Sequence, residues 1–233
     1  MKPLTLTSFI ALTLALPAQA VIYSGSLVSG AGLTGTEQWS SDASLSWTVT
    51  DEDPGGAWLY SYTLVVANKD ISHVTFEVSD TFELSNITGD VGDPGNILDG
   101  GSLDTYGPGL HGNSDPGIPD TLQGIKFNTT GNTTNLSWSI YSDRVPVWGD
   151  FYAKDGKSGG PGGGNDVYLY NTGFTAGDTD PDAPAADGSV DNHILRPDSL
   201  SDPEGPSIPE PQTTLLGMIG LMMIFRRRSR DMS

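Results

Sequence analysis

Trp58-Leu59-Tyr60-Ser61-Tyr62-Thr63-Leu64-Val65-Val66 sets large apolar side chains at 58, 60, 62, 64 and 66. A period of two is the period of a β-strand, whose side chains point alternately to opposite faces. Upstream, Leu45, Trp47 and Val49 alternate with Ser46, Thr48 and Thr50. Downstream, Val74, Phe76 and Val78 alternate with His73, Thr75 and Glu77, which points His73 to solvent. Phe82 and Leu84 continue the pattern. Further runs are Ile125–Phe127, Leu136/Trp138/Ile140, Val147–Tyr152 and Val167–Tyr170. Turn-forming clusters separate them: Asp53-Pro54-Gly55-Gly56, Asp93-Pro94-Gly95-Asn96, Asp115-Pro116-Gly117 and Ser158–Asn165. No stretch between the termini carries a helical period. The pattern predicts an all-β fold of about nine or ten strands, read as a single antiparallel β-sandwich, jelly-roll or Ig-like, with long Gly/Asp/Pro loops. Gly89–Asp120 reads as an extended loop on that body, and Thr175–Ser207 as an acidic surface tail and linker.

The composition fits. Among 233 residues there are 30 Gly and 16 Pro, 11 basic and 29 acidic side chains, and no Cys. The absence of Cys excludes disulfides and thiolate chemistry. Between residues 21 and 207 stand 6 basic side chains (Lys69, Lys126, Arg144, Lys154, Lys157, Arg196) against 27 acidic ones, leaving −21. Such a body has no basic patch for phosphates, so nucleic acid is not an expected partner. Divalent cations are its natural counter-ions.

The two ends carry addresses. Lys2, the apolar run Leu4–Leu16 and Ala18-Gln19-Ala20 form a secretory signal peptide over residues 1–20, cleaved after Ala20. At the other end, Pro209-Glu210-Pro211 precedes an uncharged run, Leu215–Phe225, closed by Arg226, Arg227 and Arg228. As a helix the run is about 17 Å long at 1.5 Å per residue, below the roughly 30 Å of bilayer hydrocarbon. Snorkelling arginines and local thinning make up the difference, so a single C-terminal membrane helix is expected. Arginine clusters stay cytoplasmic, which agrees with an exported body.

Pro-Glu-Pro, a short apolar helix and an Arg cluster at the chain end resemble the PEP-CTERM sorting signal of bacterial exported proteins. Ile71–Ser79 and Pro146–Gly156 resemble ectodomains of such proteins, without bringing an activity. The resemblance implies export through the Sec machinery and processing by an exosortase, with Pro209, Glu210 and Pro211 as the recognition motif. Arg226–Arg228 would be the membrane-retention charge. Gln212 stands where Ser or Thr is commoner in the family. The domain plan is then 1–20 signal peptide, 21–198 ectodomain, 199–207 linker and 208–233 sorting signal. The expected product is a cell-surface or matrix protein associated with extracellular polysaccharide.

Catalytic motifs are weak. Gly30-Ala31-Gly32-Leu33-Thr34-Gly35 has dinucleotide-loop spacing but leads into no helix, so it reads as a flexible turn. Gly156-Lys157-Ser158 lacks the first Gly of a phosphate loop. The same residues fit Gly-x-Ser-x-Gly through Gly160, but the Gly-rich stretch after the serine cannot form the helix a nucleophile elbow needs. His73, His111 and His193 form no ligand pair by spacing. A hydrolase would need carboxylates gathered by folding, with Asp150, Asp143 and Glu77 as candidates. Asp178, Asp180 and Asp182 alternate in a loop and offer hard oxygen ligands to Ca²⁺, although Ala183 and Ser189 stand where an EF-hand has Gly and Glu. Sequons at Asn86, Asn128, Asn132 and Asn135 read as turn and strand chemistry. No catalytic residue is assigned, and the chain is not expected to be an enzyme. The alternatives are a carbohydrate-binding module, with Trp148 the tryptophan expected to be exposed, and a secreted glycoside hydrolase.

Overall fold

The computed structural model describes residues 20–51, 57–87, 98–159, 163–177 and 179–197. Ala18, Asp178, the linker, Pro209–Pro211, the apolar run and Arg226–Arg228 lie outside the described residues, while Ala20 is described and exposed. Among the described residues no helix is long and apolar enough to cross a membrane.

Twelve strands are present among the described residues: β1 Ile22–Ser29, β2 Gly32–Gly35, β3 Ser44–Thr50, β4 Trp58–Val65, β5 His73–Glu77, β6 Ser102–Tyr106, β7 Leu122–Asn128, β8 Asn135–Ser142, β9 Pro146–Gly149, β10 Phe151–Lys157, β11 Asp166–Asn171 and β12 Ile194–Pro197. Ten form one sheet in the order β6-β7-β5-β10-β11-β2-β1-β3-β4-β8, and β12 pairs with β9 in a separate ribbon. The protein is all-β.

The large sheet curls so that its two limbs share one core. Trp138 of β8 stacks on Tyr62 of β4 at 5.2 Å, Tyr62 on Phe76 of β5 at 5.6 Å, and Phe76 on Phe127 of β7 at 6.0 Å. This aromatic chain crosses from one limb to the other. The period-two runs explain it, because the odd residues of β3 and the even residues of β4 and β8 all point inward.

The expected purely antiparallel pairing needs one correction. β1 and β2 pair in parallel, with Val28 opposite Gly32 and Ser29 opposite Leu33. Gly30 and Gly32 both adopt positive φ, at 77° and 101°, so the chain sidesteps by one strand position. β1 then borders β3, while β2 borders β11. The segment read as a flexible turn is thus partly a strand, and it joins the two limbs.

The limbs differ on their outer faces. Residues 107–120, within the segment read as an extended loop, lie across the outer face of β7-β5-β10-β11. Ile118 packs there with Tyr106, Leu122, Tyr152 and Phe174 in a second cluster, against Tyr168 and Tyr170. Gly117 is obligatory in that loop: its φ is 72°, and a Cβ would lie 2.0 Å from the Tyr168 ring. His73 therefore does not point to solvent; it is buried on β5, 2.8 Å from Asp115 of the covering loop. Strand β6 also arises from the segment read as loop, and β12 from the segment read as tail. No strand forms at Phe82/Leu84: Glu83 and Asn86 make a capping box that turns Leu84–Asn86 into a 3-10 turn and exposes Leu84.

Candidate functional sites: a carboxylate–histidine cluster and an uncharged sheet face

Gly149 and Asp150 mark the point where the chain leaves the β9–β12 ribbon and enters the main sheet as β10. The Asp150 amide donates to Glu77 Oε2 at 2.8 Å, and the Glu77 amide donates to the Asp150 carbonyl at 2.9 Å, which locks the end of β5 to this joint. Gly149 leaves room for the neighbours, since a Cβ there would meet Arg196 Nε at 2.2 Å and Glu77 Oε2 at 2.7 Å. On the adjacent ribbon, β12 sets His193 just before Ile194 and brings Arg196 opposite Val147.

Asp150, Asp180 and His193 each offer a ligand atom, all within 4.8 Å of one another. Asp150 and His193 are buried, and Asp180 is half-buried. Asn171 donates to Asp150 Oδ1 at 2.8 Å and accepts from the Phe151 amide at 2.8 Å, so the Asp150 carboxyl is held in place. Arg196 donates from one nitrogen to both Asp180 Oδ2 and Glu77 Oε1. Burial pushes the Glu77 carboxyl up to about 8, against the downward pull of Arg196 and with smaller upward contributions from Asp180 and Asp150. Beside the cluster is a cavity of about 120 Å³, lined by Glu77, Asp120, Asp150, Phe174 and Asp180 among others.

Of the three carboxylates proposed for hydrolysis, folding brings Glu77 and Asp150 together and leaves Asp143 apart beside Arg144 and Asn86. Asp180 of the calcium trio engages Arg196 and lies with Asp150 and His193; its sequence neighbour Asp178 is outside the described residues. Sequence reasoning weighed His193 and set it aside for want of a ligand pair by spacing, and gave Arg196 no role. A signal was there, because Ile194-Leu195 is the one adjacent pair of large aliphatic residues in an acidic, Pro-rich stretch, and His193 and Arg196 flank it.

The second site is the outer face of β1-β3-β4-β8, left open among the described residues. Strand register aligns Ser24, Thr48, Ser61 and Ser139 in one row and Ser26, Ser46, Thr63 and Ser137 in the next. The rows repeat at about 4.8 Å between strands and about 6.7 Å along them. Ile22, Leu59 and Tyr141 border one end, Val28 and Val65 the other, and none of these thirteen side chains is charged. Asp187 stands at the margin, accepting from the Ser24 amide. Trp148, expected to be exposed, is fully buried, with its ring N–H on the Pro184 carbonyl at 3.3 Å. Indeed all five tryptophans are in the core. The β9–β12 pairing covers Trp148, a contact 47 residues away in sequence from Leu195 that no local pattern announces.

No known family model, curated protein or solved structure matches this chain.

Proposed function

We propose that the protein is an exported structural or adhesion component of a bacterial cell surface or polysaccharide matrix, delivered by its two ends. The Sec machinery would take it out through residues 1–20, and an exosortase would act at Pro209-Glu210-Pro211 while Leu215–Phe225 and Arg226–Arg228 hold the chain in the membrane. The ordered succession of motif, apolar run and arginines is the observation that carries this reading. The prolines disfavour helix before them and keep the motif extended outside the bilayer, and Glu210 presents one charge to the processing enzyme. Glu210→Ala is expected to leave a full-length, membrane-retained protein. Mass spectrometry of the mature C-terminus checks this, and an unchanged terminus in the variant would refute it. The ectodomain, on this reading, is a single sandwich, supported by the aromatic chain between the two limbs.

The uncharged hydroxyl face favours a second reading, a carbohydrate-binding module. On so acidic a body, the thirteen side chains of this face carry no charge of their own, and Asp187 stands only at its margin. Its hydroxyl rows and apolar borders suit a neutral, polyhydroxylated chain. The buried tryptophans provide no stacking platform, so recognition would run through Ser and Thr. Ser46→Lys, at an exposed position in the middle of the face, should abolish co-sedimentation of the full chain with insoluble neutral β-glucan or with the producing cell's matrix while leaving the melting temperature unchanged. Equal binding by the variant would rule the face out.

Hydrolysis is less well supported. The oxygens of Glu77 are engaged by the Asp150 amide and Arg196, and Asp150 is held by Asn171 and faces His193. These carboxylates are committed to holding the ribbon on the sheet.

A further inference from the structure

We propose that strand β8 is a docking edge for a second copy of this chain, pairing antiparallel with β8 of that copy about a two-fold axis to form a closed dimer. The proposal stands whether or not the hydroxyl face binds a glycan.

The edge itself carries the argument. β8 ends the ten-stranded sheet, and β4 pairs with it on one side through all eight residues without a bulge. On the other side, Ile87 bridges to Ser142, and the Asp143 N–H donates to the Asn86 carbonyl at 3.3 Å. That bond fixes the phase of the strand. In an antiparallel ladder the backbone N–H and C=O groups of successive residues point to opposite sides. Those of Ser137 and Ser139 therefore point the same way as the Asp143 N–H, to the open edge. Among the described residues neither backbone has a partner there.

Sheet edges are ordinarily blunted by Lys, Pro, a bulge or short length. β8 has none of these: its eight residues include no charge, no Pro and no Gly. It sets Trp138, Ile140 and Tyr141 among serines, the uncharged β-forming composition that pairs with its own kind. The strand at the other end of the sheet, β6, is five residues long and carries the exposed Asp104.

Charge selects the occupant. Residues 21–207 carry a net −21, so two copies repel over most of their surfaces. They can approach where neither is charged, and β8 with the face beside it is such a place. Asp143, just past the strand, is paired with Arg144. The strand is also its own complement. Turned antiparallel on itself, it matches the free groups of Ser137 and Ser139 with their equivalents, serines on the outer face and Leu136, Trp138 and Ile140 on the inner one. The contact is isologous and uses up the open edge of each copy, so association stops at two. The hydroxyl rows then run on from one copy into the next, and the uncharged face doubles in width.

The test is sedimentation of the purified full chain over a concentration series, at low and at physiological salt. Expected is a monomer–dimer equilibrium that strengthens with salt as the like charges are screened. Ser139→Pro removes one edge N–H and leaves the β4 ladder intact, and Pro is tolerated where a strand's N–H faces outward. It should weaken dimerisation about ten-fold or more, because the two-fold axis loses the bond twice, with the melting temperature little changed. Should that variant fail to fold, Ser139→Lys, which puts a charge on the edge, decides in its place. Ser46→Lys, two strands inward, should dimerise like the parent. The proposal is overturned if the parent is monomeric throughout or assembles beyond a dimer. It is overturned equally if the folded edge variant dimerises as tightly as the parent, which would place the contact elsewhere in the chain. A monomeric Ser46→Lys would also overturn it, since the faces would then stack in place of edge pairing.

Discussion

Replacing Trp138 by Ala is expected to destabilise the protein by about 3–5 kcal/mol, the usual cost of truncating a buried Trp. Trp138 is 2% exposed and begins the aromatic chain through Tyr62 and Phe76 to Phe127. The loss has two parts. Removing the indole returns no compensating contact, because Tyr62 is fixed on its other side by Phe76 and by its hydroxyl, which donates to the Leu195 carbonyl at 2.9 Å. The cavity left behind therefore cannot collapse, which places the cost at the upper end of such substitutions. Tyr62 also connects the chain to β12, so the change should loosen the ribbon. Single domains are stable by about 5–15 kcal/mol, so a third or more of the total is at stake. Urea unfolding of parent and variant measures it. A loss below about 1 kcal/mol would mean that the two limbs are not held together through this stack.

That stack shows what was legible. Trp58–Val66 and Leu136–Ile140 fixed their own inward faces by alternation, so strand type, burial and much of the core followed from local pattern. What escaped depends on partners far along the chain. β6 and β12 are short and sit in Gly-, Asp- and Pro-rich surroundings, where turn chemistry outweighs a four- or five-residue apolar signal. β2 is half glycine, and pairing with β11 on one side and β1 on the other makes it a strand. His73 obeyed alternation and still ended up buried, because a loop some forty residues later covers that face. The carboxylate–histidine cluster was half visible: Asp150, Glu77 and Asp180 were singled out for other reasons, but His193 has no spacing relation to any of them. Three side chains from three distant stretches leave no motif.

Replacing Asp115 by Ala is expected to cost about 3–5 kcal/mol near neutral pH, because it leaves a buried charge without its partner. Asp115 is 2% exposed and sits at the tip of the covering loop. Its Oδ1 accepts from Lys126 Nζ at 2.7 Å and lies 2.8 Å from His73 Nε2, and Ser114 Oγ donates to Oδ2. The contact with His73 is short, although the ring N–H is poorly aligned with that oxygen. Lys126 is buried, with the Tyr106 ring 5.2 Å away, and Lys154 reaches the Ser114 carbonyl at 2.8 Å. Without Asp115 the Lys126 ammonium would keep only that ring. Burial by itself would raise the Asp115 carboxyl, but the polar contacts of His73, Lys126 and Ser114 outweigh it and hold the group below the ordinary carboxylate value. For His73, burial is the largest influence and pushes the ring down, assisted by Lys126 and Lys154 and opposed by Asp115. Both groups bind protons more readily in the unfolded chain, so stability rises with pH wherever they titrate. The His73 contribution is present above about 6.5 and the Asp115 contribution above about 3.9, the unfolded values, and each is lost as pH falls from there toward the lower folded value. The parent should therefore lose stability in two steps on acidification, the steeper one below about pH 4. Asp115→Ala should lack that second step, so the two proteins converge in strong acid. Melting temperatures from pH 7.5 down to 3 measure both curves. A difference that stays constant across this range would show that Asp115 contributes packing alone and that its ion pair with Lys126 does not anchor the loop.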